Sequence, residues 1–178
     1  MNVLVLLGSL RAGSTNRALA DAAVAHLPEG CTATVFNRGA ELPHYSEDLD
    51  LEGQVPEVAA ELRSAVAAAD GLIVVTPEYN GTLSSVLKNT IDWASRPYGS
   101  ASIGGTPAVV MAASGSPRAA EWARQDAVRT LQVAGAAVIE ETFGVGASYE
   151  AFAEGRLADD EADAALRALV ARLVPVHA

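Results

Sequence analysis

Apolar residues along the chain fall into two alternating patterns. Continuous runs of strand length occur at Asn2–Leu7, Thr32–Phe36, Gly71–Thr76, Pro107–Ala113 and Ala136–Ile139. A strand covered by helices on both sides has no polar face to show, so such runs predict strands buried on both faces. Between them apolar positions recur every three or four residues, the spacing of one helix face. Leu19, Ala22, Ala23 and Leu27 make one stripe behind Ser14, a candidate N-cap. Val58, Leu62, Ala65, Val66 and Ala69 make a second behind Pro56, and Leu83, Leu87, Ile91 and Ala94 a third. A fourth helix is predicted from near Pro117 to a C-cap glycine at Gly135. The last places Ala162, Leu166, Leu169, Val170 and Leu173 inward. Asp159, Asp160 and Asp163 at its start and Arg167 and Arg172 near its end suit the helix dipole. Five strands alternating with five helices predict an α/β sandwich with a mostly parallel sheet and right-handed crossovers. Asn37–Gln54 and Glu141–Ala158 lack clear periodicity. No repeat or linker interrupts the pattern, so one domain over residues 1–178 is expected.

Composition narrows the function classes. With 50% hydrophobic residues, the 178-residue chain can bury a sizeable core without disulfides or a structural metal. Its 12 Lys and Arg against 22 Asp and Glu give a net charge of −10, which argues against a nucleic-acid surface. Cys31 is the single cysteine, so no intrachain disulfide is possible and a cytoplasmic setting is expected. The longest apolar runs, such as Val3–Leu7 and Ala108–Ala113, are too short to cross a bilayer. No basic segment precedes the first of them, so neither a signal peptide nor a membrane association is expected.

In an open parallel sheet, ligands bind beyond the carboxyl ends of the strands, where the strand order reverses. Three segments follow strands there. The first, Gly8-Ser9-Leu10-Arg11-Ala12-Gly13-Ser14-Thr15-Asn16-Arg17, combines glycines, hydroxyl and amide donors, a guanidinium and a following helix N-terminus. These suit a phosphate; a polar turn with Ser14 as a helix cap also accounts for part of the pattern. The segment lacks the Gly-Lys-Ser/Thr ending of a P-loop, and Leu10 stands where a dinucleotide fingerprint has its second glycine. The second, Thr76-Pro77-Glu78-Tyr79-Asn80-Gly81, reads either as a tight strand–helix turn or as an edge for a planar polar heterocycle. The third is Ala113–Pro117.

Together, Gly8-Ser9-x-Arg11-x-x-Ser14-x-Asn16-x-x-Leu19-Ala20, Thr76-Pro77-Glu78-Tyr79-Asn80-Gly81 and Leu87-Lys88-Asn89-x-Ile91-Asp92-Trp93 resemble the NAD(P)H-dependent FMN reductase family, which includes quinone, azo-dye and chromate reductases. The resemblance runs from the first strand through the fourth helix. It implies a flavodoxin-like three-layer sandwich with a five-stranded parallel sheet in the order 2-1-3-4-5. It further implies that Ser9, Arg11, Ser14, Thr15 and Asn16 hold the FMN phosphate. Pro77, Glu78, Tyr79, Asn80 and Gly81 would run along the isoalloxazine ring, largely through backbone groups. Ser114 and Gly115 would close over the ring or ribityl chain. Lys88, Asn89, Asp92 and Trp93 match scaffold and subunit-contact positions. The implied activity passes reducing equivalents from NADPH or NADH to free flavin, a quinone or a similar acceptor in a ping-pong scheme, in a homodimer or homotetramer. Arg11, Arg17 and Arg118 would make the pocket locally positive despite the acidic whole. The alternative is a flavodoxin-like electron carrier without nicotinamide activity. Two departures stand out: Ser84-Ser85 replace a Pro-Gly common in the family, and Ala119 and Ala120 stand where relatives often carry further glycines.

Other reactive side chains offer no site. Cys31 is expected to be half-buried and inert. His26, His44 and His177 are dispersed, so no metal site is expected. Glu140-Glu141 and the Asp159–Asp163 cluster read as solvated or dipole-compensating charges. Tyr45 and Tyr98 fit a pocket or an interface equally. No acid, base or nucleophile is singled out, as expected where a cofactor supplies the redox chemistry.

Overall fold

The computed structural model describes residues 1–173; His177 lies outside them. In chain order the elements are β1 (Asn2–Leu7), α1 (Thr15–Ala25), β2 (Thr32–Phe36), α2 (Glu57–Ala67), β3 (Gly71–Val75), β4 (Glu78–Tyr79), β5 (Thr82–Leu83), α3 (Ser85–Ala94), β6 (Pro107–Ala113), α4 (Glu121–Val133), β7 (Ala137–Val145), β8 (Phe152–Ala153), β9 (Arg156–Leu157) and α5 (Asp160–Ala171). The main sheet has five parallel strands in the order β2-β1-β3-β6-β7. Counted over sheet strands this is the expected 2-1-3-4-5. The order reverses beside β1, so the β1–α1 and β3–α3 loops open on one crevice at the carboxyl edge.

Side chains alternate across the sheet and build two cores. Leu4, Leu6, Leu72, Val74 and Val110 face α2, α3 and α4 through Leu62, Leu87, Ile91, Trp93 and Leu131. Val3, Val5, Ile73, Val75 and Met111 face α1 and α5 through Leu19, Ala23, Leu166 and Val170. All five residues of β3 are buried. The edge strands differ from the expected two-sided burial: Thr32 and Thr34 of β2 and Glu140 and Glu141 of β7 are exposed.

Three boundaries depart from the sequence reading. The last sheet strand extends six residues beyond Ile139, to Val145. Its pairing with β6 jumps from Ala108↔Val138 to Val110↔Thr142, and this irregularity places Glu140-Glu141 on the edge, masking the strand pattern. The fourth helix starts at Glu121 rather than near Pro117, because Ala119 and Ala120 adopt left-handed φ of 51° and 53°. Leu83 belongs to β5, and Ser84 caps α3 by accepting the Leu87 N–H. The predicted end of that fourth helix stands: Gly135, at φ 98°, closes α4 with its N–H on Gln132 O and the Ala136 N–H on Leu131 O.

Candidate functional site

The β1–α1 loop lies over buried Gly8, whose N–H donates to Val75 O at 2.8 Å. A Cβ at Gly8 would stand 2.6 Å from Ser84 Oγ and 3.0 Å from Leu87 Cβ, so only glycine lets the loop leave the sheet here. Ser14 caps α1, accepting the Arg17 N–H at 3.3 Å and donating to Ser9 Oγ at 2.7 Å. Among the described residues, no backbone N–H from Ser9 to Asn16 has a protein acceptor. The first turn of α1 carries no acidic side chain, whereas those of α2, α4 and α5 do. Arg11 is exposed and has no carboxylate within ion-pair distance among the described residues. Beside this loop runs a groove of about 420 Å³ lined by Leu7, Ser9, Leu10, Arg11, Arg17 and Asn37 among others, with no carboxylate in its wall. Free amides, a helix N-terminus and a free guanidinium form a donor set that fits a phosphate dianion.

Asn16 and Thr15 also join this loop to the third one. Asn16 is buried, and its carboxamide is spent on Ala113: Nδ2 donates to Ala113 O and Oδ1 accepts the Ala113 N–H, both at 2.8 Å. This ties the first loop to the end of β6. The Thr15 hydroxyl accepts from buried Ser148 at 3.2 Å, and the Ser148 N–H donates to Ser114 O at 3.1 Å. Ser148 therefore bridges the first and third loops, and nothing in its sequence context signals this.

The second loop is a small hairpin rather than a plain strand–helix turn. Asn80 and Gly81 have φ of 52° and 77°, and β4 and β5 pair through Glu78↔Leu83 and Tyr79↔Thr82. Asn-Gly suits a two-residue turn with both central φ values positive. Its polar side chains face α4. Glu78 Oε2 accepts the Ala123 N–H at 3.1 Å, capping a helix whose own N-cap, Ala120, has no side chain to do so. The Thr82 hydroxyl donates to Asp126, which also binds Arg129, and these partners hold the Asp126 carboxyl below its ordinary range. Tyr79 remains 58% exposed, leaving an aromatic face and the hairpin backbone at the crevice. Thr76 and Ser84 set the base of the hairpin, with the Ser84 N–H on Thr76 Oγ1 and the Thr76 hydroxyl on Pro77 O.

In the third loop Ser114 accepts the Ser116 N–H, while Gly115 lies under the exposed ring of Tyr149; a Cβ there would sit 2.6 Å from that ring. Behind it Arg124 is half-buried, donating to Ala119 O at 3.0 Å and Thr142 Oγ1 at 2.6 Å, and burial draws its pKa downward. The three loops thus meet through Asn16–Ala113, Thr15–Ser148–Ser114 and Ser84–Gly8.

Other candidates find structural roles. Asn89 binds the Tyr45 N–H and the Leu42 and Pro43 carbonyls, and Trp93 Nε1 donates to Pro43 O at 2.8 Å. Trp93 is fully buried, which suits the scaffold expectation and removes it from any subunit contact. Tyr45 packs edge-on to Trp93 and reaches Asp50, which also holds Arg63 and Arg96. Burial pushes the Asp50 carboxyl up, but the two guanidiniums outweigh this and keep it below its ordinary range. Lys88 and Asp92 form an exposed pair, and Cys31 is half-buried as expected. The Asp159–Asp163 cluster is not simply solvated. Asp159 caps α5, and Asp163 is buried with its Oδ1 3.0 Å from His26 Nε2.

The sequence profile of the NADPH-dependent FMN reductase family matches residues 1–150. A 2-hydroxy-1,4-benzoquinone reductase of a Burkholderia species is 42% identical over 114 residues, 64% of this chain and 61% of that protein's length. An NAD(P)H-dependent FMN reductase of Pseudomonas aeruginosa is 38% identical over 91% of this chain and 87% of its own. The solved NAD(P)H:acceptor flavoenzyme of Paracoccus denitrificans superposes with a TM-score of 0.83 at 29% identity, covering 97% of this chain and 94% of its own. With the profile spanning the sheet and all three loops at its carboxyl edge, the chain belongs to the NADPH-dependent FMN reductase family.

Proposed function

We propose that this chain is an FMN-dependent oxidoreductase that takes two electrons from NADPH or NADH and delivers them to free flavin, a quinone or a similar electrophile. The observation that carries this reading is the row of unpartnered N–H groups from Ser9 to Asn16 beside Arg11 and a groove without carboxylates. In this reading Ser9, Arg11, Ser14 and Thr15 hold the FMN phosphate, and Asn16 keeps their loop in place through Ala113. Pro77, Glu78, Tyr79, Asn80 and Gly81 form the ledge for the ring system, and Ser114 and Gly115 close it from the other side. Bound FMN supplies two-electron chemistry, accepting hydride from a nicotinamide and returning the electrons to an acceptor. For a quinone the balance is NAD(P)H, a proton and quinone giving NAD(P)⁺ and quinol. The chain's own task is to bind, orient and keep the crevice shaped, and the one proton in this balance comes from solvent.

One crevice serves both substrates in turn, so oxidised nicotinamide leaves before the acceptor enters, a ping-pong order. The chain acts as one flavin-binding unit in the reducing cytoplasm; no helix among the described residues is long and apolar enough to cross a membrane. A homodimer or homotetramer completes the assembly. The support is an apolar groove of about 630 Å³ between α3 and α4, rimmed by Tyr98 and Val133, which are 88% and 86% exposed. Sedimentation velocity gives the assembly state.

The test of function is an absorbance spectrum of the purified chain with and without added FMN, followed by rapid anaerobic mixing with NADPH and NADH. Flavin bands that bleach on mixing support the reading. A chain that binds no FMN at micromolar concentration overturns it, and one that binds FMN but bleaches with neither nicotinamide is an electron carrier.

A further inference from the structure

Acid is plentiful in this chain, and eight of its twelve Lys and Arg side chains have a carboxylate within ion-pair distance. Among the described residues, Arg11, Arg118, Arg124 and Arg167 do not. Arg167 reaches the His26 ring, and Arg124 is turned inward onto Ala119 and Thr142. Arg118 has no such duty. It stands exposed in the third loop, and its guanidinium carbon lies 5.0 Å from the ring centroid of Trp122. Trp122 is itself 51% exposed on the first turn of α4. Its ring lies against the hairpin turn, where a Cβ at Gly81 would come within 3.3 Å of Trp122 Cε3. Hairpin turn, indole and guanidinium therefore form one continuous patch at the carboxyl edge.

The patch has two chemical properties. The half-exposed indole offers a flat apolar face next to the second loop. A guanidinium held over a ring keeps its N–H donors and its full charge for another partner. The carboxylates of Glu78 and Glu121 flank the same helical turn, which favours a singly charged ligand over a diphosphate. We propose that Arg118 and Trp122 form an acceptor-recognition element that selects planar conjugated acceptors bearing one anionic oxygen over neutral acceptors of the same size. This rests on the proposed reductase function, because it requires the acceptor to enter beside the second loop. Arg11 and Arg118 then serve two different anions, the cofactor phosphate and the acceptor.

The probes are 2-hydroxy-1,4-naphthoquinone, a vinylogous acid ionised at neutral pH, and the neutral 2-methyl-1,4-naphthoquinone. The readouts are the ratio of their kcat/KM values for the FMN-saturated chain and their calorimetric affinities for the oxidised chain, which need no turnover. In Arg118→Gln the preference for the anionic quinone falls about tenfold or more, the scale of a charged hydrogen bond. Arg118→Lys restores part of it, and Trp122→Ala weakens binding of both quinones. FMN affinity, followed by flavin fluorescence, changes by much less than the quinone preference in the two Arg118 variants. An unchanged ratio in Arg118→Gln overturns the proposal. So does a loss confined to the KM of NADPH or NADH, which would assign Arg118 to the dinucleotide. A wild-type chain that binds no FMN overturns the reductase reading instead. In that case equal calorimetric affinity for the two quinones overturns this proposal as well.

Discussion

The Ser84 hydroxyl donates a 2.7 Å hydrogen bond to the Gly8 carbonyl, joining two loops 76 positions apart. The same oxygen accepts the Leu87 N–H and so caps α3. One buried hydroxyl thereby sets the spacing between the β1–α1 loop and the base of the hairpin. Ser84 is thus part of how this chain aligns the β1–α1 loop with the β4–β5 hairpin.

Ser84→Ala removes a helix cap and a partner for the Gly8 carbonyl. The expected loss is about 1–3 kcal/mol, measured by urea unfolding, with weaker FMN binding. Gly8→Ala pushes a methyl into Ser84 Oγ and Leu87 Cβ and costs a similar amount. The two changes act at one contact, so the double variant should be clearly non-additive. Additive losses would mean that the contact is not energetically coupled.

Arg11→Ala should weaken FMN binding on the order of tenfold or more, the scale of a charge-assisted contact to phosphate. Flavin fluorescence titration measures this. Riboflavin, which lacks the phosphate, should bind the variant and the wild type alike. A loss of equal size for both flavins would mean that Arg11 acts on the ring or the fold.

Ala119 and Ala120 occupy left-handed backbone at φ 51° and 53°. That conformation costs a residue bearing a Cβ about 1–2 kcal/mol, offset in part by glycine's greater freedom when unfolded. Ala119→Gly should therefore raise stability by roughly 0.5–1 kcal/mol, seen as a higher urea midpoint at unchanged slope. Ala120 is buried, so the same change there also removes packing and gains less.

His26→Ala leaves buried Asp163 without its ring partner, at an expected cost of about 1–3 kcal/mol at pH 7. The His26 ring outweighs burial and holds the Asp163 carboxyl below the ordinary aspartate range. A depressed folded-state value stabilises above the unfolded value and is lost as pH falls through the folded one. The gap between wild type and variant should therefore close below the usual aspartate range of about pH 4. Urea unfolding at pH 7 and pH 3 tests this; a gap of equal size at both would show that the pair is not ionised.

Asn16, Trp93 and Ala119 separate what was legible in the chain from what was not. Asn16 was legible as a loop residue with spare donors, and the structure spends those donors on Ala113, 97 positions away. Trp93 was legible as part of a helix motif, but its burial under Pro43 appears only once the 42–50 segment folds back over α3. The left-handed turn at Ala119 and Ala120 carries no local signal, because alanine favours the helix. In the structure it lies between the Ala119 N–H bonded to Ser116 O and the Ala120 carbonyl that accepts the Arg124 N–H.

By itself the sequence determined the succession of the five sheet strands and five helices, the parallel class and the position of three loops at the sheet's carboxyl edge. These follow from local apolar periodicity and from short-range turn and cap residues, which act within a few positions. Only the tertiary structure decided which donors remain free, which carboxylates are caps and how far β7 runs. Those outcomes depend on partners brought together by the sheet from distant parts of the chain. The contrast among the described residues between Arg11 and Arg118, both without a carboxylate partner, and the eight paired cations is of this kind: neighbouring residues do not reveal it, and the fold does.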